Sequence, residues 1–289
     1  MTAPVPLPAP QFSSTLPTAG THLGHALKSE WTKIRTVRST LWTLGVMLVL
    51  ILGINLLVVG LSSPERVTEP VLAFGLFGVL LGQLCVMTLG VLVISSEYGT
   101  GMIRTTLTVC PRRGRVLTAK AIVFFALTFT VTTVACALTA LMNDAAFGGK
   151  PVGEPDFVSA RLVVEDGLSA AEGGQWLGAT VGVGLYVALL GLLSLAVGAL
   201  LRHSAGAITT MMGLVLLPLI IAIFMQSENL RTVQEKLIEY SSPNAIASLH
   251  QMPMLGDGDA DGVRQLVLLA IVTAAALGAA YAALAKRDV

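Results

Sequence analysis

Charged residues are scarce in this chain. Asp, Glu, Lys and Arg make up 12% of its 289 residues, against about 25% in a typical soluble domain, and 54% of the residues are apolar. The mean hydropathy is +0.79. This composition predicts an integral membrane protein. The formal net charge is only +1, so charge gives no indication of a nucleic-acid partner.

Cysteine is also rare, and its positions exclude a disulfide framework. Cys85 and Cys136 fall within long apolar runs and Cys110 falls in a basic loop, so the acidic loops contain none. The sequence also lacks a G-x-x-x-x-G-K-[ST] stretch for binding ATP, because the Gly-Gly-Lys at 148–150 is followed by Pro151. Any ATP-driven activity would therefore need a separate ATPase polypeptide.

Six long apolar runs of 19 to 25 residues contain no Asp, Glu, Lys or Arg. At about 1.5 Å per residue, each can cross a hydrocarbon core about 30 Å thick. A single charge at the centre of a span would cost about 2.5 to 3.5 kcal/mol, so their absence favours insertion. The sequence predicts an all-α fold whose transmembrane domain covers residues 41–287. Its six helices are expected at about 40–61, 71–94, 121–143, 176–200, 207–225 and 265–285.

The charges between the apolar runs predict the orientation. If the amino terminus is cytoplasmic, the inner segments contain twelve Lys and Arg and three acidic residues. The outer segments then contain six Lys and Arg and fourteen acidic residues. The positive-inside rule counts Lys and Arg, so it places both termini in the cytoplasm. We therefore expect a multi-pass protein of the plasma membrane.

Two segments precede the first apolar run. Residues 1–21 are rich in Pro, Ser and Thr and carry no charge, which predicts a disordered cytosolic tail rather than a signal peptide. Residues 22–40 predict an amphipathic helix in the membrane interface, with its cations toward anionic lipid. A solvated extension of the first span is the alternative. The apolar stripe of this helix consists of Leu23, Leu27, Trp31 and Ile34.

A basic loop at residues 95–120 joins the second and third apolar runs. It holds five of the eighteen Lys and Arg and one acid, Glu97. Gly99 and Gly101 permit a tight bend, and a short helix is expected at about 102–109. The loop predicts a docking site for a cytosolic partner. An ordinary positive-inside loop that faces lipid phosphates is the alternative.

The chain resembles the membrane subunits of ABC transporters of the ABC-2 type, particularly the permeases of actinobacteria. The resemblance covers about residues 22–287 in architecture, and its motifs are SEWTKIRTVRSTLWTL at 29–44 and SSEYGTGMIRTTLTVCPRRGRVLTAK at 95–120. It implies a connecting helix at 22–40 and a second inner contact at 201–206. It also implies a coupling region that seats in a groove of the ATP-binding subunit, with residues Glu97, Tyr98, Gly99, Thr100, Ile103, Arg104 and Leu107.

The resemblance further implies the partners and the function. The chain would pair with a second permease, identical or related, and with two copies of a cytosolic ATP-binding subunit that holds ATP and Mg. No catalytic residue, cofactor or metal site is expected in this chain, and membrane lipid is its other expected contact. The implied function is ATP-driven efflux, and a path without charges suggests an amphiphilic or apolar cargo.

Other classes of function compete with this interpretation. A membrane anchor or immunity-type protein would bind its ligand without transporting it. An ion-coupled secondary transporter or an intramembrane hydrolase typically needs Asp, Glu or His within its spans. The apolar runs contain none of these residues, which counts against both.

Milder polar residues and small residues within the runs have two interpretations. The polar ones could line a path, but they more often form hydrogen bonds between helices, and small residues at spacing four mark close helix packing. The polar residues are Asn55, Gln83, Thr88 and Asn143, and the small pairs are Gly78 with Gly82 and Gly178 with Gly182.

The connections leave further alternatives open. Residues 201–206 predict a tight turn between two antiparallel helices, or a break in one long helix. Residues 144–175 predict a partly ordered outer loop. Residues 228–240 have a helical pattern and are followed by a mildly apolar piece at 244–254, which predicts an outer helical cap or a broken segment that dips back into the membrane.

Overall fold

Helices dominate the fold of this protein. The structure is a computed structural model that describes residues 22–62, 65–102, 113–154, 161–225, 227–254 and 262–286. Of these residues, 82% are helical. Within the described residues, six helices are long and apolar enough to cross a membrane, which confirms the predicted number of long apolar helices. The expected tail at 1–21 and most of the expected helix at 102–109 lie outside the described residues.

Short helical turns precede or link several of the helices. A 3₁₀ turn at Ala73–Gly75 leads into α3, a π-helical turn at Gly178–Gly182 joins α5 to α6, and a 3₁₀ turn at Glu228–Leu230 leads into α8. The helices are α1 Leu23–Thr36, α2 Arg38–Leu61, α3 Leu76–Gly99, α4 Arg113–Phe147, α5 Gly173–Leu177, α6 Val183–Leu201, α7 Ser204–Phe224, α8 Arg231–Glu239, α9 Ser242–Leu249 and α10 Val263–Lys286.

The core of the bundle lies around α6. Within the most apolar window of the span formed by α5 and α6, 72% of the residues are buried, against 17% for α2 and 11% for α10. Helix α6 contacts α3, α4, α7 and α10. It approaches α3 closely where Gly90 faces the carbonyl of Gly191, since a Cβ at Gly90 would overlap that oxygen. Helices α2, α7 and α10 therefore form the apolar outside of the bundle.

One end of the bundle, which we call the base, carries α1, the last turn of α3, the first turns of α4 and the connection from α6 to α7. Helix α3 continues to Gly99, although the apolar run stops near 94, and α4 begins at Arg113 rather than near 121. Charged residues extend both helices at the base because, as described below, their charges are neutralised there.

The connection between α6 and α7 is a tight turn. Arg202 adopts a left-handed conformation with φ of 54° and ends α6. His203 caps α7, since its Nδ1 accepts a hydrogen bond from the backbone N–H of Gly206 at 3.0 Å. Only these two residues separate the helices, so the structure agrees with a turn between two helices rather than one broken helix.

The described part of the loop at 144–175 lies at the end of the bundle opposite the base and includes regular structure. It contains an antiparallel pair of strands, β1 Val163–Glu165 and β2 Leu168–Ala170, joined by Asp166 and Gly167. Both turn residues have positive φ, 52° and 79°. An Asp-Gly pair between short strands is a common hairpin signal, and the low periodicity of the loop concealed it.

Helices α8 and α9 form a hairpin that folds back into the bundle. Helix α8 packs along α7, and all eight residues of α9 are buried. Ser242 at the start of α9 donates to Oε1 of Gln83 at 2.8 Å, about two turns into α3. His250, just after α9, lies beside Gly75 before α3 begins. Helix α9 therefore enters the bundle, whereas α8 has no buried residue.

Candidate functional site

Four charges at the base, three of them buried, form a closed ring. Glu30 and Lys33 come from α1, Glu97 from the last turn of α3 and Lys120 from the second turn of α4. Glu30 Oε1 accepts a hydrogen bond from Lys33 Nζ at 2.7 Å, and Glu30 Oε2 accepts one from Lys120 Nζ at 2.8 Å. Glu97 Oε1 accepts from the same two ammonium groups, at 2.9 Å and 2.7 Å. Each charge thus contacts two charges of opposite sign.

The ring is balanced in charge and largely removed from solvent. The side chains of Lys120, Glu97 and Glu30 are 2%, 4% and 5% exposed, and that of Lys33 is 27% exposed. Lys120 uses its third N–H on the carbonyl of Val93, at 3.3 Å. Removing one member of such a group leaves an uncompensated buried charge, which typically costs about 3 to 5 kcal/mol.

Lys33 is the member of the ring nearest to solvent. Burial alone would lower the pKa of its ammonium group. The hydrogen bonds and negative charges of Glu30 and Glu97 outweigh burial, so the pKa of Lys33 is raised above its ordinary value. Lys33 therefore stays charged at neutral pH and holds the two carboxylates together.

The local sequence explains how α1 contributes two members. Glu30 and Lys33 are three residues apart, and Glu30 and Ile34 are four apart, so all three lie on one face of the helix. Glu30 and Ile34 are the buried residues of α1. This face packs against α4, the neighbour that α1 contacts most extensively.

The predicted apolar stripe of α1 is only partly buried. Ile34 is buried and Leu27 half-buried, whereas Leu23 and Trp31 are exposed. Leu27 and Trp31 face a shallow apolar groove that also contains Ile122 and Ala126 of α4. The expectation that the cations of this helix point toward lipid was wrong for Lys33, because Glu30 and Glu97 attract its ammonium into the ring.

The structure separates the predicted coupling residues. Glu97 is buried in the ring, so its carboxylate faces inward rather than toward a partner. Gly99 and Thr100 are exposed at the end of α3, and Gly101 stops the helix with φ of 73°. The predicted coupling residues Ile103, Arg104 and Leu107 lie outside the described residues.

Tyr98 connects the two predicted inner contacts. The guanidinium of Arg202 lies over the ring of Tyr98, 5.0 Å from its centroid. This is the range of a cation–π interaction. Arg202 belongs to the turn between α6 and α7, so the end of α3 and that turn are held side by side at the base.

The milder polar residues of the spans are mostly buried between helices. Gln83 accepts from Ser242, as described above, and Thr88 donates to the Leu84 carbonyl of its own helix at 2.8 Å. Asn55 and Asn143 are fully buried, and Asn55 Nδ2 lies 4.0 Å from Met142 Sδ. Gln83, Asn55 and Asn143 are thus buried within the chain.

The predicted glycine pairs lie at close contacts. A Cβ at Gly78 would come within 2.6 Å of the Ile51 carbonyl oxygen of α2, and one at Gly82 within 2.8 Å of the Ile51 side chain. The second pair faces α9 instead of a spanning helix. A Cβ at Gly178 would lie 2.5 Å from the Leu249 carbonyl oxygen, and one at Gly182 would lie 3.0 Å from Leu249 Cδ2.

Sequence reasoning assigned no role to Glu30 and treated Lys120 only as one of the five cations of the basic loop. It also used the absence of charges in the apolar runs to argue against ionisable residues among the spans. Glu97 and Lys120 lie just beyond those runs, yet both are buried in the ends of α3 and α4. A signal was available, because the inner segments contain only three acids and two of them, Glu30 and Glu97, are in the ring.

Comparison with known proteins adds no family to these observations. No protein-family model matches the chain, and no curated protein is significantly similar to it. The resemblance to ABC-2 permeases therefore stays a prediction that rests on the motifs at 29–44 and 95–120.

Proposed function

We propose that this chain is the membrane-spanning permease subunit of an ABC-2 type exporter of the plasma membrane. Both termini and the base lie in the cytoplasm. The chain pairs with a second permease, and two cytosolic ATP-binding subunits bind at the base and hydrolyse ATP. The cargo is amphiphilic or apolar. The motif at 95–120 supports this assignment, and the ring is the observation that carries it.

The ring supports the proposal because it links the helices that lead into and out of the basic loop. The described residues on either side of the loop are Met102 and Arg113, and the ring joins the helices on both sides of it to α1. A displacement of the loop therefore reaches α1, α3 and α4 together. In the proposed mechanism, ATP binding closes the two ATPase subunits, the loop moves, and the cavity between the permeases opens outward.

The contact between Tyr98 and Arg202 extends the same connection to α6 and α7. Helix α6 is the most buried span, and α7 leads directly into the hairpin of α8 and α9. Movement at the base would thus be passed to the opposite end through α7. In this mechanism Glu97 is a positioning residue that transmits the displacement, and the exposed part of the loop makes the contact with the ATPase.

One observation favours a second candidate, an ion-coupled secondary transporter. The buried Glu97 and Lys120 remove the main argument that the sequence offered against it. However, both residues are paired with opposite charges at the ends of their helices. Coupling sites of secondary transporters typically lie near the membrane midplane. An ionophore that collapses the proton and sodium gradients would abolish transport by such a protein and leave ATP-driven efflux intact.

The proposal is tested by purifying the tagged full chain from its native host in mild detergent after crosslinking. We expect a cytosolic ATPase to copurify in a ratio of about one to one. Arg104→Glu, in the predicted coupling region, should lose the ATPase. Lys28→Glu is the matched control, because Lys28 is an exposed cation of α1 at the base and does not belong to the ring. Absence of an ATPase from the wild-type chain would contradict the proposal and favour the anchor or the secondary transporter.

A further inference from the structure

A shallow groove runs between α1 and α4 at the base. Its wall consists of Leu27, Lys28 and Trp31 from α1 and Ile122, Val123 and Ala126 from α4. Its volume of about 330 Å³ is at the lower end of the range for ligand pockets, about 300 to 1,000 Å³, so the groove has room for part of a lipid. Lys28 is the charged residue of this otherwise apolar wall, and it is exposed. We call this feature the lateral groove.

The lateral groove lies on the side of α1 that faces away from the ring. At 3.6 residues per turn, Lys28 lies next to Trp31 at one edge of the apolar stripe, and Lys33 lies beyond the opposite edge. Arg35 is seven residues from Lys28, so it lies at the same edge two turns farther on. Both Lys28 and Arg35 are exposed. Helix α1 therefore presents two cations on the groove side and directs Lys33 to the ring.

The described residues on the groove side of α1 carry positive charge only. Among the described residues, the acids at the base are Glu30 and Glu97, and both are used in the ring. Asp144 of α4 lies near the far end of that helix. Lys28 and Arg35 therefore have no further acid to pair with in the part of the base that the structure describes, and this surface attracts anions.

An exposed row of α4 continues the groove into the membrane-spanning part of the helix. The row begins near residue 121, where the apolar run of α4 begins. It is about 18 Å long at about 1.5 Å per residue. One leaflet is half of a hydrocarbon core about 30 Å thick, so an acyl chain can follow the row through one leaflet. The row consists of four residues at spacing four, Ile122, Ala126, Thr130 and Val134.

We propose that the lateral groove binds one anionic phospholipid from the leaflet at the base. Lys28 Nζ donates to the phosphate, and the glycerol region packs against Trp31, a residue type that prefers the membrane interface. One acyl chain lies in the groove and follows α4 toward Val134. Arg35 adds attraction for the negative headgroup. A lipid fits better than a cytosolic protein, because the row leads into the hydrocarbon core, which a cytosolic protein does not reach.

The charge of the groove side predicts selectivity among lipids with the same acyl chains. A phosphatidylglycerol headgroup has a net negative charge, whereas the choline cation of phosphatidylcholine balances its phosphate. That choline would also meet Lys28 and Arg35 as like charges. Each cation near an anionic headgroup should raise the affinity about fivefold. We therefore expect phosphatidylglycerol to bind about fivefold tighter for one cation, and up to about thirtyfold tighter for two.

Native mass spectrometry of the full, delipidated chain tests this selectivity. The probes are dioleoyl phosphatidylglycerol and dioleoyl phosphatidylcholine at matched concentrations. We expect one retained phosphatidylglycerol per chain, at a concentration at least about fivefold lower than for phosphatidylcholine. Equal affinity for the two lipids, or retention of neither, would overturn the proposal. Neither result would affect the proposed function, because the site does not depend on transport or on an ATPase.

Three charge variants test the role of Lys28. Lys28→Gln should reduce the preference for phosphatidylglycerol about fivefold, and Lys28→Arg should keep it. Arg66→Gln is the matched control, because it makes the same change in net charge at an exposed cation of the opposite end, and it should keep the preference. A wild-type preference in Lys28→Gln would overturn the assignment of the phosphate to Lys28. Lys28→Gln leaves the predicted ATPase contact unchanged, so the two proposals can fail separately.

Two further measurements test the groove itself. Ala126→Trp fills the groove from the exposed face of α4 and should lose the retained lipid, whereas Leu138→Trp, exposed farther along α4, should keep it. Lipid affinity as in the wild type for Ala126→Trp would overturn the assignment to this groove. A photoreactive residue in place of Trp31 should crosslink to phospholipid in intact membranes. A crosslink to a protein instead would show that the groove is a protein interface and would overturn the proposal.

Discussion

Lys120 Nζ lies 2.7 Å from Oε1 of Glu97, and both side chains are buried. The two residues are 23 positions apart and stand near the two ends of the basic loop. Their pairing fixes the distance between the end of α3 and the start of α4 at the base. The loop is therefore held at its two ends by helices that cannot separate without breaking a buried ion pair.

Substitutions in the ring should follow the rule for buried ion pairs. Lys120→Met leaves two carboxylates facing one ammonium, so we expect a loss of about 3 to 5 kcal/mol in the free energy of unfolding. The double variant Glu97→Met with Lys120→Met removes a neutral pair and leaves Glu30 paired with Lys33. It should recover most of that loss.

Thermal unfolding of the detergent-purified wild type, the single variants and the double variant tests this prediction. The decisive quantity is the coupling free energy between the two single variants and the double variant. If the single losses simply add in the double variant, the two residues do not act as a buried pair.

Stability should fall in acid because of His250. This residue is 4% exposed, and burial lowers its pKa from 6.5 to about 4, although its Nδ1 donates to the Ile246 carbonyl. As the pH falls, His250 therefore binds a proton near pH 6.5 in the unfolded chain but only near pH 4 in the folded chain. The stabilisation is present above pH 6.5 and is lost as the pH falls toward 4, by about 3 kcal/mol in total.

His250→Gln removes the titrating group and keeps a donor for the Ile246 carbonyl. Its melting temperature should decline less than that of the wild type between pH 7 and pH 4.5. His25→Gln is the matched control, since His25 is exposed on α1, and it should keep the wild-type decline. The same decline in His250→Gln as in the wild type would refute the assignment.

The contact between α2 and α3 predicts opposite effects at two glycines. Gly78→Ala would place a Cβ 2.6 Å from the backbone oxygen of Ile51, so the helices must move apart. We expect a loss of about 1 to 3 kcal/mol. Gly45→Ala, on α2, meets nothing within 4 Å and should be neutral or slightly stabilising, because alanine favours helix. Melting temperatures in detergent compare the two, and equal effects would contradict the packing of these helices.

Hydropathy predicted the spans because each span is a long local run. Each uncharged run can be recognised from residues that are neighbours in the sequence. The six runs match the six long apolar helices found among the described residues. The helix ends at the base were less predictable. Glu97 and Lys120 look like loop residues by composition, and they extend α3 and α4 only because each has a partner of opposite charge.

The candidate site depends on contacts between distant residues, which local patterns do not reveal. Glu30 and Lys120 are 90 positions apart, and no spacing in the sequence connects them. The positive-inside rule depends on Lys and Arg, so it carries no information about where the acids lie. Glu97 was selected from the family motif, and its inward direction became visible only with α1 and α4 in place.

The central claim, that the base binds an ATPase, is tested most directly by photo-crosslinking in intact cells. A photoreactive residue is placed at Thr100, exposed where α3 ends, and, as the matched control, at Leu168 in the hairpin at the opposite end. We expect position 100 to crosslink to a cytosolic ATPase and position 168 not to do so. An ATPase crosslinked from position 168, or none from position 100, would contradict the proposed docking surface.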